Sequence, residues 1–185
     1  MPQEARKGPQ VGAPVTATSH RAPPPTRPGW ASVESMGMMF RGQFEHAIDA
    51  KGRTSFPSRF RDVLGGGAQG LVLTRAVFDR CLHLYPLHGW EELEAKIADM
   101  PQFDPNVVAF RRMYLSAAVE CELDKQGRIL VPPSLREHAE LAKDVVWAGM
   151  GRTAELWSKE RWQAAHTMTE AEMASFKTAM EQFRL

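Results

Sequence analysis

The stretch DAKGRTSFPSRFRD at residues 49–62 returns as DKQGRILVPPSLRE at residues 124–137. The two agree at Asp49/Asp124, Gly52/Gly127, Arg53/Arg128, Pro57/Pro132 and Arg61/Arg136, with Asp62/Glu137 conservative, all at an offset of 75. The likeness continues at an offset of 72, where CLHLYPLHGW meets AELWSKERW at Leu84/Leu156, Tyr85/Trp157 and Trp90/Trp162. A chain that repeats itself in this way is built from two copies of one supersecondary unit, each too small to bury its apolar face alone. The two copies therefore have to share a core.

Each copy follows one local grammar. Before the Asp, Phe44, His46 and Ile48 alternate with Glu45 and Ala47, and Val119, Cys121 and Leu123 alternate with Glu120 and Glu122, the period of a half-buried strand. A turn then closes on Gly52 or Gly127, where positive φ is cheap, and the strand resumes at Arg53 or Arg128. Pro57 and Pro132 suit a helix start. Two more short strands follow, near Leu71–Leu73 and Leu82–Tyr85 in copy one and near Val145–Trp147 and Ala154–Trp157 in copy two. The expected fold is α+β: two tandem β-β-α-β-β repeats forming one pseudo-twofold β-barrel flanked by helices.

The flanking helices carry their own signals. Trp90, Leu93, Ile97 and Met100 form one apolar stripe, and Asp104-Pro105 is a cap followed by a first-turn proline for a helix through Tyr114. Thr169 to Glu172 reads as a capping box for a last helix whose stripe is Met173, Phe176, Met180 and Phe183, a surface for the core or for another subunit. The Pro-rich residues 1–38 have no apolar period and are expected to be a disordered tail, or to precede the true start near Met36, Met38 and Met39. Arg6, Lys7, Arg21 and Arg27 there would make at most a weak basic arm. The expected division is thus 1–38, then 39–104 as first repeat plus helix, then 105–185 as linker helix, second repeat and C-terminal helices.

Composition rules out several classes. The 43% apolar and 24% charged residues are those of a globular protein, and the formal charge of +1 announces neither nucleic acid nor membrane, so any such signal is local. No apolar run is long enough to span a bilayer. Cys81 and Cys121 have no CxxC spacing, and Cys81, His83 and His88 match no common ligand pattern, so no metal and no cofactor are expected. The six histidines are scattered, with no phosphate loop and no GxSxG, which argues against an enzyme.

From MMFRGQFEHAIDAKGRTSFPSRFRDVL through LHLYPLHGWEELEAK, FRRMYLSAAVECELDKQGRILVPPSLREHAEL and AELWSKERW, the chain closely resembles the MraZ family of tandem SpoVT-AbrB-like repeats. The resemblance covers Met39 to about Trp162, with the paired Asp-x-x-Gly-Arg turns as its hallmark. It implies a cytoplasmic, nucleoid-associated transcriptional regulator, a repressor of the division and cell-wall gene cluster that includes its own promoter. It also implies ring-shaped homo-oligomers on double-stranded DNA carrying G-rich direct repeats, and no membrane partner.

In that role the turn chemistry divides between the copies. Asp49 and Asp124 would fix their turns by accepting amides or pairing with the arginine four residues on. Arg53 would read guanine bidentately, Lys51 would supply phosphate charge, and Gly52 would let the backbone approach. Residues 38–64 carry Arg41, Lys51, Arg53, Arg59 and Arg61 against Glu45, Asp49 and Asp62, a balance of +2. Residues 115–141 carry Lys125, Arg128 and Arg136 against Glu120, Glu122, Asp124, Glu137 and Glu140, a balance of −2, with Gln126 where Lys51 stood. Arg41, Lys51, Gly52, Arg53, Arg59 and Arg61 are therefore the expected DNA contacts, and Asp49, Asp124, Gly127 and Arg128 the structural turn residues. Arg53 and Arg128 could instead bridge to acids across the barrel, and the whole chain could be an oligomeric protein-interaction scaffold without specific DNA binding. A one-repeat antitoxin-like protein would carry a different tail.

Overall fold

A computed structural model describes residues 39–64 and 70–184; the expected N-terminal tail lies outside the described residues. Copy one contributes β1 (Gln43–Ala47), β2 (Arg53–Ser55), α1 (Ser58–Val63), β3 (Leu71–Arg75) and β4 (Cys81–Pro86). Copy two contributes β5 (Val119–Cys121), β6 (Arg128–Leu130), α4 (Pro133–His138), β7 (Asp144–Gly149) and β8 (Ala154–Ser158). Between them run α2 (Leu87–Ala98) and α3 (Pro105–Phe110), and α5 (Lys159–Ala165) and α6 (Glu170–Gln182) follow the second copy. Pro57 and Pro132 stand at the N-caps of α1 and α4, where a fixed φ and a missing N–H cost nothing.

The strands pair antiparallel in two groups, a six-stranded sheet in the order β1-β7-β8-β4-β3-β5 and a two-stranded ladder of β2 with β6. Exchanging the two copies maps each order onto itself, so the duplication is realised as a pseudo-twofold with β4·β8 and β2·β6 on its axis. Each copy also lends a strand to the other. β1 pairs with β7, from Gln43↔Ala148 to Ala47↔Asp144, and β5 pairs with β3, from Leu71↔Cys121 to Leu73↔Val119.

The expected closed barrel is not formed. The six-stranded sheet is open, with β1 and β5 at its edges, and the small ladder is joined to the end of β1 by an isolated bridge, Ile48↔Thr54, rather than by a continuous strand pairing. The reason is geometric: β2 and β6 are three residues each and use them on one another, Arg53↔Leu130, Thr54↔Ile129 and Ser55↔Arg128. The sheet and the ladder instead enclose a common core. Phe40, Phe56, Phe60, Leu71, Leu73, Leu82, Leu84, Ile129, Trp147 and Leu156 are all essentially without solvent exposure and form one cluster. Trp147 meets Phe56 edge to face at 5.3 Å and donates its indole N–H to the Ser55 carbonyl at 3.0 Å, which ties the large sheet to the small ladder.

The outer face of the sheet carries the intervening helices. Trp90 and Ile97 of α2 are buried, whereas Met100 at the end of that stripe is exposed. Asp104 caps α3 by accepting from the Asn106 and Val107 amides, and the helix runs on into a π-helical turn, Arg111–Leu115, that carries the buried Tyr114. The capping box at Thr169 and Glu172 is present, but the α6 stripe is not core: Met173, Phe176 and Phe183 are 51, 47 and 71% exposed. Among the described residues no helix is long and apolar enough to cross a membrane.

Candidate nucleic-acid interface

The two Asp-x-x-Gly-Arg turns have nearly the same internal wiring. In the first, Asp49 Oδ1 accepts the amides of Lys51 and Arg53, each at 2.9 Å, while Oδ2 accepts Arg53 Nε at 2.8 Å and Nη2 at 2.7 Å. In the second, Asp124 Oδ1 accepts the amides of Gln126 and Arg128 at 2.9 Å, and Oδ2 accepts Arg128 Nε and Nη2 at 2.8 and 2.7 Å. Backbone bonds close each hairpin, Asp49 N to Arg53 O and Gly52 N to Asp49 O in one, Asp124 N to Arg128 O and Gly127 N to Asp124 O in the other. Gly52 and Gly127 take φ of +84° and +70°, the conformation that the sequence pattern demanded of them.

These bonds have an electrostatic signature. The amide and guanidinium of Arg53 hold the Asp49 carboxyl down at about 2, and those of Arg128 likewise lower Asp124. Both arginines are therefore paired within their own turns rather than across the molecule. A guanidinium has five N–H donors, and Asp49 takes two of those on Arg53. The outer donors of Arg53 remain, on a side chain one-third exposed.

The third place of the turn breaks the symmetry. In turn two, the Gln126 side-chain oxygen accepts from Arg128 Nη2 at 3.2 Å, a second restraint on that guanidinium. In turn one the equivalent residue is Lys51, which is exposed, has no acceptor, and makes no side-chain hydrogen bond or ion pair among the described residues. Turn one thus sets Lys51 beside Arg53 at its third place, whereas turn two sets Gln126 there, bonded to Arg128, and carries its exposed lysine one place earlier, at Lys125.

The remaining sequence candidates do not all gather at turn one. Arg59 is exposed on α1, just beyond β2. Arg41 precedes β1 and lies eight residues from Asp49, about 25 Å along an extended strand. Arg61 crosses to the other copy: a side chain on Gly127 would meet its guanidinium, and Arg136 reciprocates by packing its Nε over Gly52, 2.9 Å from where a Cβ would sit. The Gly52 carbonyl also accepts the Val131 amide at 2.8 Å and the Gly127 carbonyl the Phe56 amide at 2.9 Å. Each turn is consequently buttressed by the opposite repeat. The matched pair Arg61/Arg136 in the repeat alignment was the one sequence signal of this exchange.

Of the trio Cys81, His83 and His88, the last stands apart on α2, 80% exposed beside Glu91 and Glu92. Cys81 and Cys121 are free thiols, both pushed up by burial, Cys121 to about 12.

Comparison with known proteins agrees with this architecture. The sequence model of a family described as "MraZ protein, putative antitoxin-like" matches twice in tandem, over residues 39–113 and 114–184. A Thermoanaerobacter sp. (strain X514) protein named Transcriptional regulator MraZ is 49% identical over 125 residues, 68% of this chain and 85% of that one. Its namesake in Thermoanaerobacter pseudethanolicus is 42% identical over 147 residues, 80% of this chain and 100% of that one, and that of Heliobacterium modesticaldum is 50% identical over 124 residues, 67% and 84%.

Proposed function

The chain belongs to the MraZ family, and from that membership we propose that it regulates transcription by setting its first Asp-x-x-Gly-Arg turn against double-stranded DNA. The observation that carries this reading is the inequality of two otherwise matching turns. Lys51 and the outer donors of Arg53 stand together in one, while Gln126 restrains Arg128 in the other. Arg53, held in a fixed plane by Asp49, is suited to the O6 and N7 acceptors of guanine in the major groove, and Lys51 to a neighbouring phosphate. Arg59 adds phosphate charge from α1. Arg61 serves the second turn instead, and Arg41 reaches only flanking DNA. Gly52 is buried against Arg136 and the Val131 carbonyl of the other copy, so its part in this reading is to hold the turn in place rather than to touch DNA.

One turn per chain gives little affinity. Several identical turns, presented by a ring of subunits to repeated operator sites, gain tightness through effective concentration, so oligomerisation is part of the mechanism. The exposed stripe of Met173, Phe176 and Phe183 on α6 is the surface we assign to contact between subunits. The expected target is the promoter of the division and cell-wall gene cluster, read through G-rich direct repeats, with repression as the outcome. The names of the relatives favour a regulator over an enzyme.

A gel-shift on DNA upstream of the chain's own gene tests this. The double variant Lys51→Ala, Arg53→Ala is expected to abolish operator binding with folding and oligomer size unchanged, whereas Arg128→Ala should retain it. Equal loss from Arg128→Ala in an intact oligomer would overturn the assignment to turn one. Salt titration separates the scaffold alternative, which predicts no sequence-dependent component. Lys51→Ala alone should lower the slope of log K against log salt by about 0.9 for each turn engaged.

A further inference from the structure

We propose that Cys81, His83 and Glu155 form a site for one transition-metal ion of zinc's chemistry, set across the seam where the two repeats join. The repeats supply the ligands unequally. Cys81 and His83 lie two residues apart on β4 and so share its outer face, and β8 of the second copy pairs beside them with Glu155 directly opposite His83. One ligand atom from each of the three side chains lies within 4.8 Å of the other two. A tetrahedral ion with bonds of about 2.0–2.3 Å holds its ligand atoms roughly 3.5 Å apart, so side-chain adjustments of about an ångström complete the site. His83 Nε2 is already 3.7 Å from Glu155 Oε1.

The surrounding groups orient these ligands as the outer shell of a metal site does. His83 Nδ1 is 2.7 Å from the Tyr114 hydroxyl, which in turn is 2.8 Å from that of Tyr85. A proton on Nδ1 donated to Tyr114 leaves the Nε2 lone pair directed toward Glu155. The other Glu155 oxygen, Oε2, accepts the Trp157 indole N–H at 2.9 Å, which turns Oε1 inward. Tyr114 itself is fixed by the π-helical turn: its carbonyl accepts from Thr74 Oγ1 at 2.6 Å, and its ring stacks on Phe110 and Trp90 at 5.1 and 5.9 Å. A single π turn inside a helix is uncommon and often marks a functional position.

Thiolate, imidazole and carboxylate together suit zinc and disfavour magnesium or calcium. Binding would release the Cys81 thiol proton to solvent. Three protein ligands leave a fourth position for water or an outside donor. Because Glu155 comes from the second copy, the ion would fasten the two halves together, and it would do so independently of the DNA-binding turns.

The test uses the full chain, stripped with chelator and titrated with Co(II). One equivalent is expected to bind with a thiolate-to-cobalt charge-transfer band and the intense visible bands of a tetrahedral site, and Zn(II) should displace it. The charge-transfer band should vanish in Cys81→Ser and persist in Cys121→Ser. Cys81 is fully buried, so the partly exposed His83→Gln, with its fold checked by circular dichroism, provides a second variant, expected to bind cobalt at least tenfold more weakly. Zn(II) should raise the melting temperature of the wild type and leave that of His83→Gln unmoved. Cobalt binding without the charge-transfer band, no binding, a band that survives Cys81→Ser, or a folded His83→Gln that binds cobalt as tightly as the wild type would overturn the site.

Discussion

At the scale of single residues, Asp49 is the organising group of the proposed DNA-contacting turn. Its carboxyl is held at about 2 against an ordinary 3.8, so the ionised form is the one the fold favours. The sign follows directly: its contribution is complete above about pH 4 and fades as pH falls through 3.8 toward about 2. Carboxyl NMR titration should find the Asp49 midpoint near 2 in the wild type and raised only part of the way toward 3.8 in Arg53→Ala, because the amides of residues 51 and 53 still donate to Oδ1 when the guanidinium is gone; an unshifted wild-type midpoint would refute the clamp. The turn glycines make a second, comparative prediction. A methyl on Gly52 would stand 2.9 Å from the Val131 carbonyl oxygen, a fixed backbone atom, on top of a φ of +84°, whereas one on Gly127 meets the movable end of Arg61. Gly52→Ala should destabilise by about 1–3 kcal/mol in urea unfolding, and Gly127→Ala by less. The roles of Asp49, Gly52 and Arg53 were legible because residue type and spacing define a turn by local chemistry alone. The crossing of Arg61 and Arg136 was not, since their opposite partners are glycines with no side chain to announce a contact.

Among the elements, β7 is closely approached by the backbone that precedes β1. Gly149 at its end packs against the backbone of Phe40 and Arg41, while Phe40 and Gly151 exchange hydrogen bonds at 2.7 and 3.0 Å. Phe40 is fully buried against Phe56 and Phe60. Gly149→Ala would drive a methyl into that backbone and lift Phe40 from the core. Equilibrium unfolding should register a loss of roughly 3–5 kcal/mol, comparable to deleting a core aromatic, and a loss under about 1 kcal/mol would contradict this packing. Strand positions were readable from the alternation of Phe44, His46 and Ile48 and from the matching run in copy two. The stripe on α6 was readable as amphipathic, but periodicity names a face without naming what covers it, and among the described residues Met173, Phe176 and Phe183 remain exposed. Glu155 escaped notice for a similar reason: it sits 72 residues from His83, and only the β4·β8 register brings them together.

For the whole molecule, strand exchange makes the two repeats inseparable. β1 finds its ladder on β7 and β5 on β3, so each half lacks a neighbour for one of its strands when alone. Residues 39–113 expressed in isolation should fail to form a folded monomer, as judged by NMR dispersion and sedimentation; a stable monomer with native strand content would refute the exchange. The duplication itself was plain in the sequence. Which copy's strand lies beside which, and that the sheets stay open, depended on pairings between residues as far apart as Leu73 and Val119 or Gln43 and Ala148, which no local pattern encodes.

The pseudo-twofold has a consequence for how such a molecule can change. In a symmetric dimer of one-repeat chains, any substitution alters both equivalent turns at once, and a residue that improves ligand contact is forced on the partner site as well. Joining the halves in one polypeptide lifts that constraint. Position three of the turn can hold Lys51 on one side and Gln126 on the other, and a metal ligand such as His83 can appear in one repeat while its counterpart in the other, Glu155, supplies a different donor to the same place. The duplication keeps the geometry of a dimer and gives each half its own chemical history.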